Sequence, residues 1–82
     1  MSLLELVEEY VRELHRLGRN EKYVEGVRVQ LTTMAKECRW KLVKDISAES
    51  FRAWRQRQTK SAKTLNEYLA SWSSLLNWLE TR

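Results

Sequence analysis

The stretch SAKTLNEYLASWSSLLNWL, residues 61–79, decides the fold class of this chain. At about 100° per residue its large apolar side chains fall on one broad side, which is typical of a helix packed on a core. These are Leu65, Tyr68, Leu69, Trp72, Leu75, Leu76 and Leu79. The opposite side carries Lys63, Asn66, Ala70, Ser73, Ser74 and Asn77. Solvated helix faces usually carry many charges, so this small, hydrogen-bonding face is a candidate contact surface; an ordinary solvated face is the alternative.

Three further helices are predicted upstream of this stretch. The first begins at a Ser2-x-x-Glu5 capping box and ends at Gly18. Its apolar stripe consists of Leu3 or Leu4, Val7, Val11 and Leu14. The second is capped by Asn20, and Gly26 inside it is a candidate for a close helix crossing. Its apolar stripe consists of Val24, Val27, Leu31, Met34 and Cys38.

The third helix and the connectors follow from breaks in this periodicity. Residues 39–46 form a connector whose Trp40, Leu42 and Ile46 are predicted to turn inward and close one end of the bundle. Ser47 caps the third helix, whose Phe51 and Trp54 face the core, and either Ser61 or Thr64 begins the last one. Proline is absent and glycine occurs twice, which argues against a turn-rich β fold. We therefore predict an all-α fold, a compact four-helix bundle formed by residues 1–82 as one domain.

The formal net charge of +4 is unevenly distributed along the chain. Residues 1–17 carry two basic and four acidic side chains, whereas residues 18–82 carry thirteen basic and seven acidic ones. A basic surface favours a polyanionic partner such as nucleic acid, ahead of an acidic membrane surface. Many basic domains bind neither, so charge alone is weak support.

Cationic side chains recur along the exposed side of the second helix. Arg28, Thr32, Lys36 and Arg39 follow an i, i+4, i+8, i+11 series, which predicts three cations and a hydroxyl on one stripe. The alternative is a soluble basic face without a ligand. Near the start of the last helix, Lys60 and Lys63 flank free backbone N–H groups and a positive dipole end, a combination that suits phosphate.

The sequence contains no constellation for catalysis or metal binding. His15 is the single histidine and Cys38 the single cysteine, which excludes an internal disulfide and zinc-ligand spacings. No apolar run reaches the ~18 residues of a membrane span, and the start is not signal-like. Tyr10, Tyr23 and Tyr68 lie on or near apolar stripes and are interpreted as core or helix-contact residues. We expect a soluble intracellular protein that binds a partner, without a cofactor, a metal or a membrane.

The order of these features resembles the N-terminal core-binding domain of tyrosine recombinases, the SAM-like domain of phage-type integrases. The segments LLELVEEYVRELHRLG and NEKYVEGVRVQLTTMAKEC are similar to the family's first two helices, and RWKLVKDISAESFRAWRQR to its connector and third helix. The family's S-x-x-T-x-N-x-x-L pattern is matched by Ser61, Thr64, Asn66 and Leu69. The resemblance covers nearly the whole chain and implies an orthogonal arrangement of the four helices.

In that family this domain is one jaw of a DNA clamp, and a separate C-terminal domain carries the catalytic residues. The resemblance therefore implies double-stranded DNA binding without cleavage, in a fragment of a longer recombinase that acts in DNA integration and recombination. The implied partners are duplex DNA, the C-terminal catalytic domain and other recombinase protomers on DNA. The implied location is the cytoplasm of a bacterium or archaeon, with a phage-encoded origin also open, and the nucleoid when bound to DNA. Family members place their second and fourth helices against the major groove.

The resulting hypothesis assigns two kinds of DNA contact. The phosphate contacts are Arg28, Lys36, Arg39, Lys60 and Lys63, and Ser61 is a further DNA-binding residue without an assigned kind of contact. The contacts to base edges or sugars are Thr32, Asn66, Ser73 and Asn77. Phosphate contacts would supply affinity and register, and the uncharged face modest selectivity. The main alternative is a helical protein-interaction module that uses an exposed aromatic such as Trp78, while single-stranded RNA binding would need several exposed aromatics for stacking.

Overall fold

The structure is a computed structural model that describes residues 2–81, and these residues contain α-helices and a 3₁₀ turn but no strand. The elements are α1 (Leu3–Arg16), α2 (Glu21–Glu37), α3 (Ala48–Gln56) and α4 (Ala62–Thr81), with the 3₁₀ turn at Val43–Asp45. The all-α prediction and the number of helices are confirmed for the described part of the chain.

Local hydrogen bonds explain where the first two helices begin. At the start of α1 the Glu5 N–H donates to Ser2 Oγ at 3.2 Å, and the Ser2 hydroxyl donates to the Glu5 carboxylate at 3.1 Å. At the start of α2 Asn20 Oδ1 accepts the N–H groups of Lys22 and Tyr23 at 2.7 and 3.4 Å. Both caps satisfy N–H groups that a helix leaves without an internal partner.

The first two helices end in the same way but with different residues. After α1, Gly18 has a φ of +79°, its N–H donates to His15 O, and the Arg19 N–H donates to Leu14 O. This is the Schellman arrangement, in which a left-handed residue closes the helix. After α2, Arg39 occupies the equivalent position with a φ of +58°. The predicted helical stripe through Arg39 is therefore wrong, because α2 ends at Glu37 and the chain reverses at Arg39.

The connector between α2 and α3 buries one aromatic ring, half-buries Ile46 and leaves Leu42 exposed. Trp40 is buried, packs edge-on against Trp72 with centroids 5.1 Å apart, and donates its indole N–H to Ser50 Oγ at 2.9 Å. Ile46 is half-buried against the core. Leu42 is 39% exposed, so the prediction that it turns inward is wrong.

The last helix begins at its earlier candidate cap. The Thr64 N–H donates to Ser61 Oγ at 3.3 Å and the Ser61 hydroxyl donates to Thr64 Oγ1 at 3.1 Å, so α4 starts at Ala62. Two residues of the family-like S-x-x-T pattern thus have a local structural role. Leu69, predicted to face the core, is 41% exposed because it lies at the edge of the apolar arc where no other helix covers it.

A single cluster of buried side chains joins the four helices. It comprises Leu3, Val7, Tyr10, Val11, Leu14, Val24, Val27, Leu31, Met34, Ala35, Trp40, Trp54, Leu65, Tyr68, Trp72 and Leu75. Helix α1 packs against α2 and α4, and α2 also packs against α4. Helix α3 contributes Trp54, which is fully buried, while Phe51 beside it is half-buried. Of the two candidate leucines at the start of α1, Leu3 is the buried one.

Candidate nucleic-acid interface

An open groove separates α2 from α4 on the solvent side of the bundle. Its volume is about 400 Å³. The lining residues are Lys22, Tyr23, Gly26, Val27, Gln30, Glu67, Ala70, Ser71 and Ser74. The Ser71 hydroxyl donates to Gln30 Oε1 and so ties the two walls together. Small side chains on both walls, Gly26 on α2 and Ala70 on α4, leave the groove accessible to another surface.

The polar face of α4 lies beside this groove and is open to solvent. Lys63, Asn66, Ser73 and Asn77 are all exposed, as are Ala70 and Ser74 at the groove itself. The sequence therefore placed these α4 residues on an accessible face, with amide and hydroxyl groups that both donate and accept hydrogen bonds. Ser61, in contrast, serves as the α4 cap described above, where its hydroxyl is already engaged.

The basic stripe of α2 does not face this groove. The Arg28 guanidinium lies 3.5 Å from the Glu8 carboxylate on α1 and 3.6 Å from that of Glu25. Arg28 is therefore directed towards α1, and its charge is compensated by two acids. Gln30, two residues later, points about 160° away around the helix, into the groove. Thr32 is half-buried, and Lys36 lines a separate depression between α1 and α2.

Arg39 and Lys36 lie together, but away from the α4 face. Both line the depression between the start of α1 and the end of α2, which also contains Leu4, Ala35 and Trp40. The structure thus separates two sets of predicted DNA-contact residues. Lys63, Asn66, Ser73 and Asn77 are on α4 beside the groove, whereas Arg28, Lys36 and Arg39 are on the α1 flank of α2.

Lys60 has a structural environment that the sequence did not indicate. Its ammonium group lies 6.0 Å from the Trp54 ring centroid and 5.8 Å from that of Tyr68, and it donates to Gln58 Oε1 at 2.9 Å. Cation–π contacts of this kind hold the side chain over the core rather than out in solvent. Lys63, three residues later, is exposed. Of the two predicted phosphate ligands at this helix end, Lys63 is the accessible one.

Sequence reasoning gave no role in a contact surface to five groove residues, which are Lys22, Tyr23, Gln30, Glu67 and Ser71. Lys22, Gly26 and Gln30 follow an i, i+4, i+8 series, which would have marked this side of α2 as small and polar. Tyr23 is 52% exposed, although its position near the apolar stripe suggested a contact residue. Its ring forms part of the groove wall, so it is both solvent-exposed and beside α4.

The other aromatic side chains are buried or half-buried against the core rather than exposed to solvent. Trp78, the candidate exposed aromatic, packs against the core and lies 5.3 Å from Tyr10 between ring centroids. Of the eight aromatic side chains, all in the described part of the chain, Tyr23 alone is exposed. The arrangement lacks the row of exposed rings on which single-stranded bases stack.

Three titratable groups near these surfaces have displaced pKa values. Burial raises the pKa of Tyr10, the charge of Tyr23 adds to the effect, and a hydrogen bond with Ser74 opposes it. Burial also raises the pKa of the Cys38 thiol. The N–H groups of Leu42 and Lys41, each 2.9 Å from Asp45 Oδ2, lower the pKa of that carboxyl. A thiol with a raised pKa is a poor nucleophile.

Within residues 2–81, no group of three or more His, Cys, Asp or Glu side chains is placed to hold a metal ion. None of the helices in that part of the chain combines the length and apolar character that crossing a membrane requires. Comparison with protein-family models, with curated proteins and with solved structures finds no match to this chain.

Proposed function

We propose that this chain binds double-stranded DNA through the polar face of α4 and the adjoining α2–α4 groove. The observation that supports it most is the exposed, almost uncharged side of α4 beside an open groove with small residues on both walls. A duplex presents donors and acceptors in its major groove, and a helix face of amides and hydroxyls is suited to meet them.

The proposed contacts follow from accessibility. Lys63 on α4 and Lys22 on α2 are exposed cations near the groove and are assigned to phosphates. Asn66, Ser73 and Asn77 are assigned to base edges or sugars, and an asparagine side chain pairs bidentately with adenine. Glu67 in the groove wall is assigned as an acceptor for a cytosine amino group. Where no such group faces it, its negative charge repels phosphate.

The sequence resemblance extends this proposal to a biological role. We propose that the four helices have the SAM-like arrangement of a core-binding domain and that the chain is the N-terminal clamp of a tyrosine recombinase. In that role it binds DNA without cutting it, while a C-terminal domain supplies the catalysis and other protomers share the site. Lys36 and Arg39 line a separate depression on the α1 side of α2 and are not assigned to this surface, and Arg28 is the weakest candidate because Glu8 and Glu25 compensate its charge.

The proposal is tested by fluorescence anisotropy with a labelled duplex of about 20 base pairs, titrated between about 50 and 200 mM salt. Replacing Lys22 and Lys63 together by Ala should weaken binding and reduce the salt slope by about 1.8, since each phosphate contact contributes about 0.9. Both residues are exposed, so the fold should be unaffected.

The matched control removes the same amount of charge elsewhere. Arg12→Ala with Lys44→Ala changes two exposed cations on α1 and the 3₁₀ turn, away from α2 and α4. This variant should keep the wild-type salt slope. If both double variants lose affinity equally, binding depends on net charge alone and the proposed surface is wrong. If the wild-type chain shows no salt-dependent binding, the DNA function itself is wrong.

A further inference from the structure

The strongest feature outside the α2–α4 groove is a depression between the start of α1 and the end of α2. Its volume is about 450 Å³. The lining residues are Ser2, Leu4, Ala35, Lys36, Arg39, Trp40 and Lys41. Leu4, Ala35 and Trp40 form an apolar floor, and Lys36, Arg39 and Lys41 form a rim of three cations. We name this site the Leu4 pocket.

The floor contains an exposed leucine on a helix that is otherwise well covered. Leu4 is 42% exposed, whereas Leu3 beside it is fully buried. Ala35 and Trp40, which also line the pocket, are buried and belong to the main core. A pocket of this size lies in the range that takes a small ligand or one large side chain of a peptide.

The three cations of the rim form no ion pair among the described residues, although the Asp45 carboxylate lies close enough to Lys41 for their charges to interact. None of their side-chain nitrogen atoms lies within 4 Å of a carboxylate oxygen in residues 2–81, whereas Arg28 on the same flank is paired with Glu8. The nearby Asp45 carboxylate accepts the backbone N–H groups of Lys41 and Leu42 instead. Such a rim is complementary to carboxylates.

The backbone at the rim adds a third observation. Arg39 adopts a φ of +58° at the end of α2, where glycine is the usual residue. A left-handed conformation costs a residue with a side chain roughly 1–2 kcal/mol. Strain of this kind concentrates at functional sites. Arg39 therefore places a guanidinium group at the rim in spite of a conformational cost that glycine would avoid.

We propose that the Leu4 pocket binds an acidic peptide segment that inserts one large apolar side chain. Carboxylates of the segment meet Lys36, Arg39 and Lys41, and the apolar side chain covers Leu4 and Trp40. A DNA backbone would satisfy the cations but would leave the apolar floor uncovered. An acidic segment with a central leucine or phenylalanine satisfies both parts of the pocket.

The test uses the fluorescein-labelled peptide Glu-Glu-Leu-Phe-Glu-Glu, with binding followed by anisotropy up to about 1 mM protein. Two comparison peptides separate the contributions: Gln-Gln-Leu-Phe-Gln-Gln lacks the charge, and Glu-Glu-Ala-Ala-Glu-Glu lacks the large apolar side chains. We expect saturable binding of the first peptide and at least about tenfold weaker binding of both others. Equal binding of the alanine peptide, or no binding of the first peptide, would overturn the proposal.

Matched variants localise the effect. Leu4→Glu places a negative charge, the same sign as that of the peptide, in the pocket and should weaken peptide binding at least about tenfold. Leu69→Glu changes a leucine of nearly equal exposure, 41% against 42%, on α4 and should leave peptide binding unchanged. A similar loss in both variants would overturn the proposal.

Two further measurements distinguish peptide binding at this pocket from a purely structural role of Arg39 and from binding to an anionic lipid surface. Arg39→Gly should weaken peptide binding several-fold while the variant becomes more stable, a combination that a purely structural role would not produce. The chain should show no binding to vesicles containing phosphatidylserine that depends on Leu4. Vesicle binding that is lost in Leu4→Glu, together with no peptide binding, would assign the pocket to an anionic lipid surface and overturn the proposal.

Discussion

Arg39 shows how one residue can combine a structural cost with an accessible charge. It closes α2 in the position that Gly18 occupies after α1, and its N–H donates to Lys36 O while the Trp40 N–H donates to Ala35 O. Both helix ends therefore use the same hydrogen bonds. The left-handed conformation has no steric cost at Gly18, whereas it has one at Arg39. The difference is measurable as stability.

We expect Arg39→Gly to raise the free energy of unfolding by about 0.5–1 kcal/mol, because glycine adopts the left-handed conformation without steric cost. Urea denaturation measures this change. The control is Arg57→Gly at the end of α3, where φ is −87° and glycine brings only greater flexibility in the unfolded chain. That variant should be less stable than wild type. Equal destabilisation by both substitutions would show that Arg39 is unstrained.

Asp45 should give the connector an acid-sensitive contribution to stability. Hydrogen bonds from the Leu42 and Lys41 N–H groups lower its pKa in the folded state. A carboxyl with a lowered pKa stabilises the fold above its unfolded pKa of about 3.9, and the contribution is lost as the pH falls through the folded value. We therefore expect Asp45→Asn to be less stable than wild type at about pH 6 and equally stable at about pH 2.

Urea titrations of both proteins across this pH range measure the difference. Glu80→Gln changes an exposed carboxyl near the end of α4 and should track wild type throughout. A deficit in Asp45→Asn that persists unchanged at the lowest pH would show that the carboxylate form is not the stabilising one.

At the scale of single helices, local chemistry determined the ends and tertiary contacts determined the faces. The caps Asn20, Ser47 and Gly18 were predictable because each acts through hydrogen bonds within three or four residues. The exposure of Leu69 was not predictable, because it depends on which part of an apolar arc another helix covers. Periodicity defines the apolar arc, but the neighbouring helices decide which residues at the edge of that arc are buried.

Gly26 illustrates the same limit inside α2. A close helix crossing was one candidate reason for a glycine there, but a Cβ atom built at Gly26 meets no atom within 4 Å beyond the adjacent backbone of its own helix. The interpretation as a tight crossing is therefore wrong. Gly26→Ala should raise the free energy of unfolding by about 0.5–1 kcal/mol, because alanine is the better helix former. Urea denaturation measures it, and a destabilised variant would show that the groove is narrower than the structure indicates.

Helix α3 is attached to the bundle mainly through Trp54 and its neighbours. The Trp54 indole N–H donates to Glu37 Oε1 at 2.7 Å, and its ring lies 5.4 Å from that of Tyr68 between centroids. Lys60 covers both rings. The segment between α3 and α4 therefore contributes to stability as well as connecting the helices.

Lys60→Ala should lower the free energy of unfolding by about 0.5–1 kcal/mol, through loss of the cation–π contacts. Lys63→Ala removes an equal charge from an exposed position three residues later. It should change the free energy of unfolding by less than about 0.5 kcal/mol. Thermal and urea unfolding of the two variants compare these costs directly. Equal stability of both would remove Lys60 from the structural role assigned to it.

For the whole molecule, the fold class could be predicted from the sequence, but which side of α2 faces α1 and which faces α4 could not. The apolar stripes predicted four helices around one core because burial imposes a period on each helix. The two flanks of α2 have the same period and similar polarity, so nothing local indicated that Arg28 faces α1 and Gln30 faces α4. Only the packing of α1 and α4 on either side of α2 assigns them, and it separates the predicted contacts on the α4 face from Arg28, which is paired with Glu8, and from Lys36 and Arg39 in the Leu4 pocket.

The most direct test of DNA binding through the α2–α4 groove is amide chemical-shift mapping with a double-stranded oligonucleotide at low salt. We expect the perturbed amides to lie in α2 around Lys22–Gln30 and in α4 around Lys63–Asn77, with α1 residues Glu5–Glu9 unaffected. Perturbations confined to α1, or none at concentrations where non-specific complexes form at about 10⁻⁴–10⁻⁶ M, would contradict it.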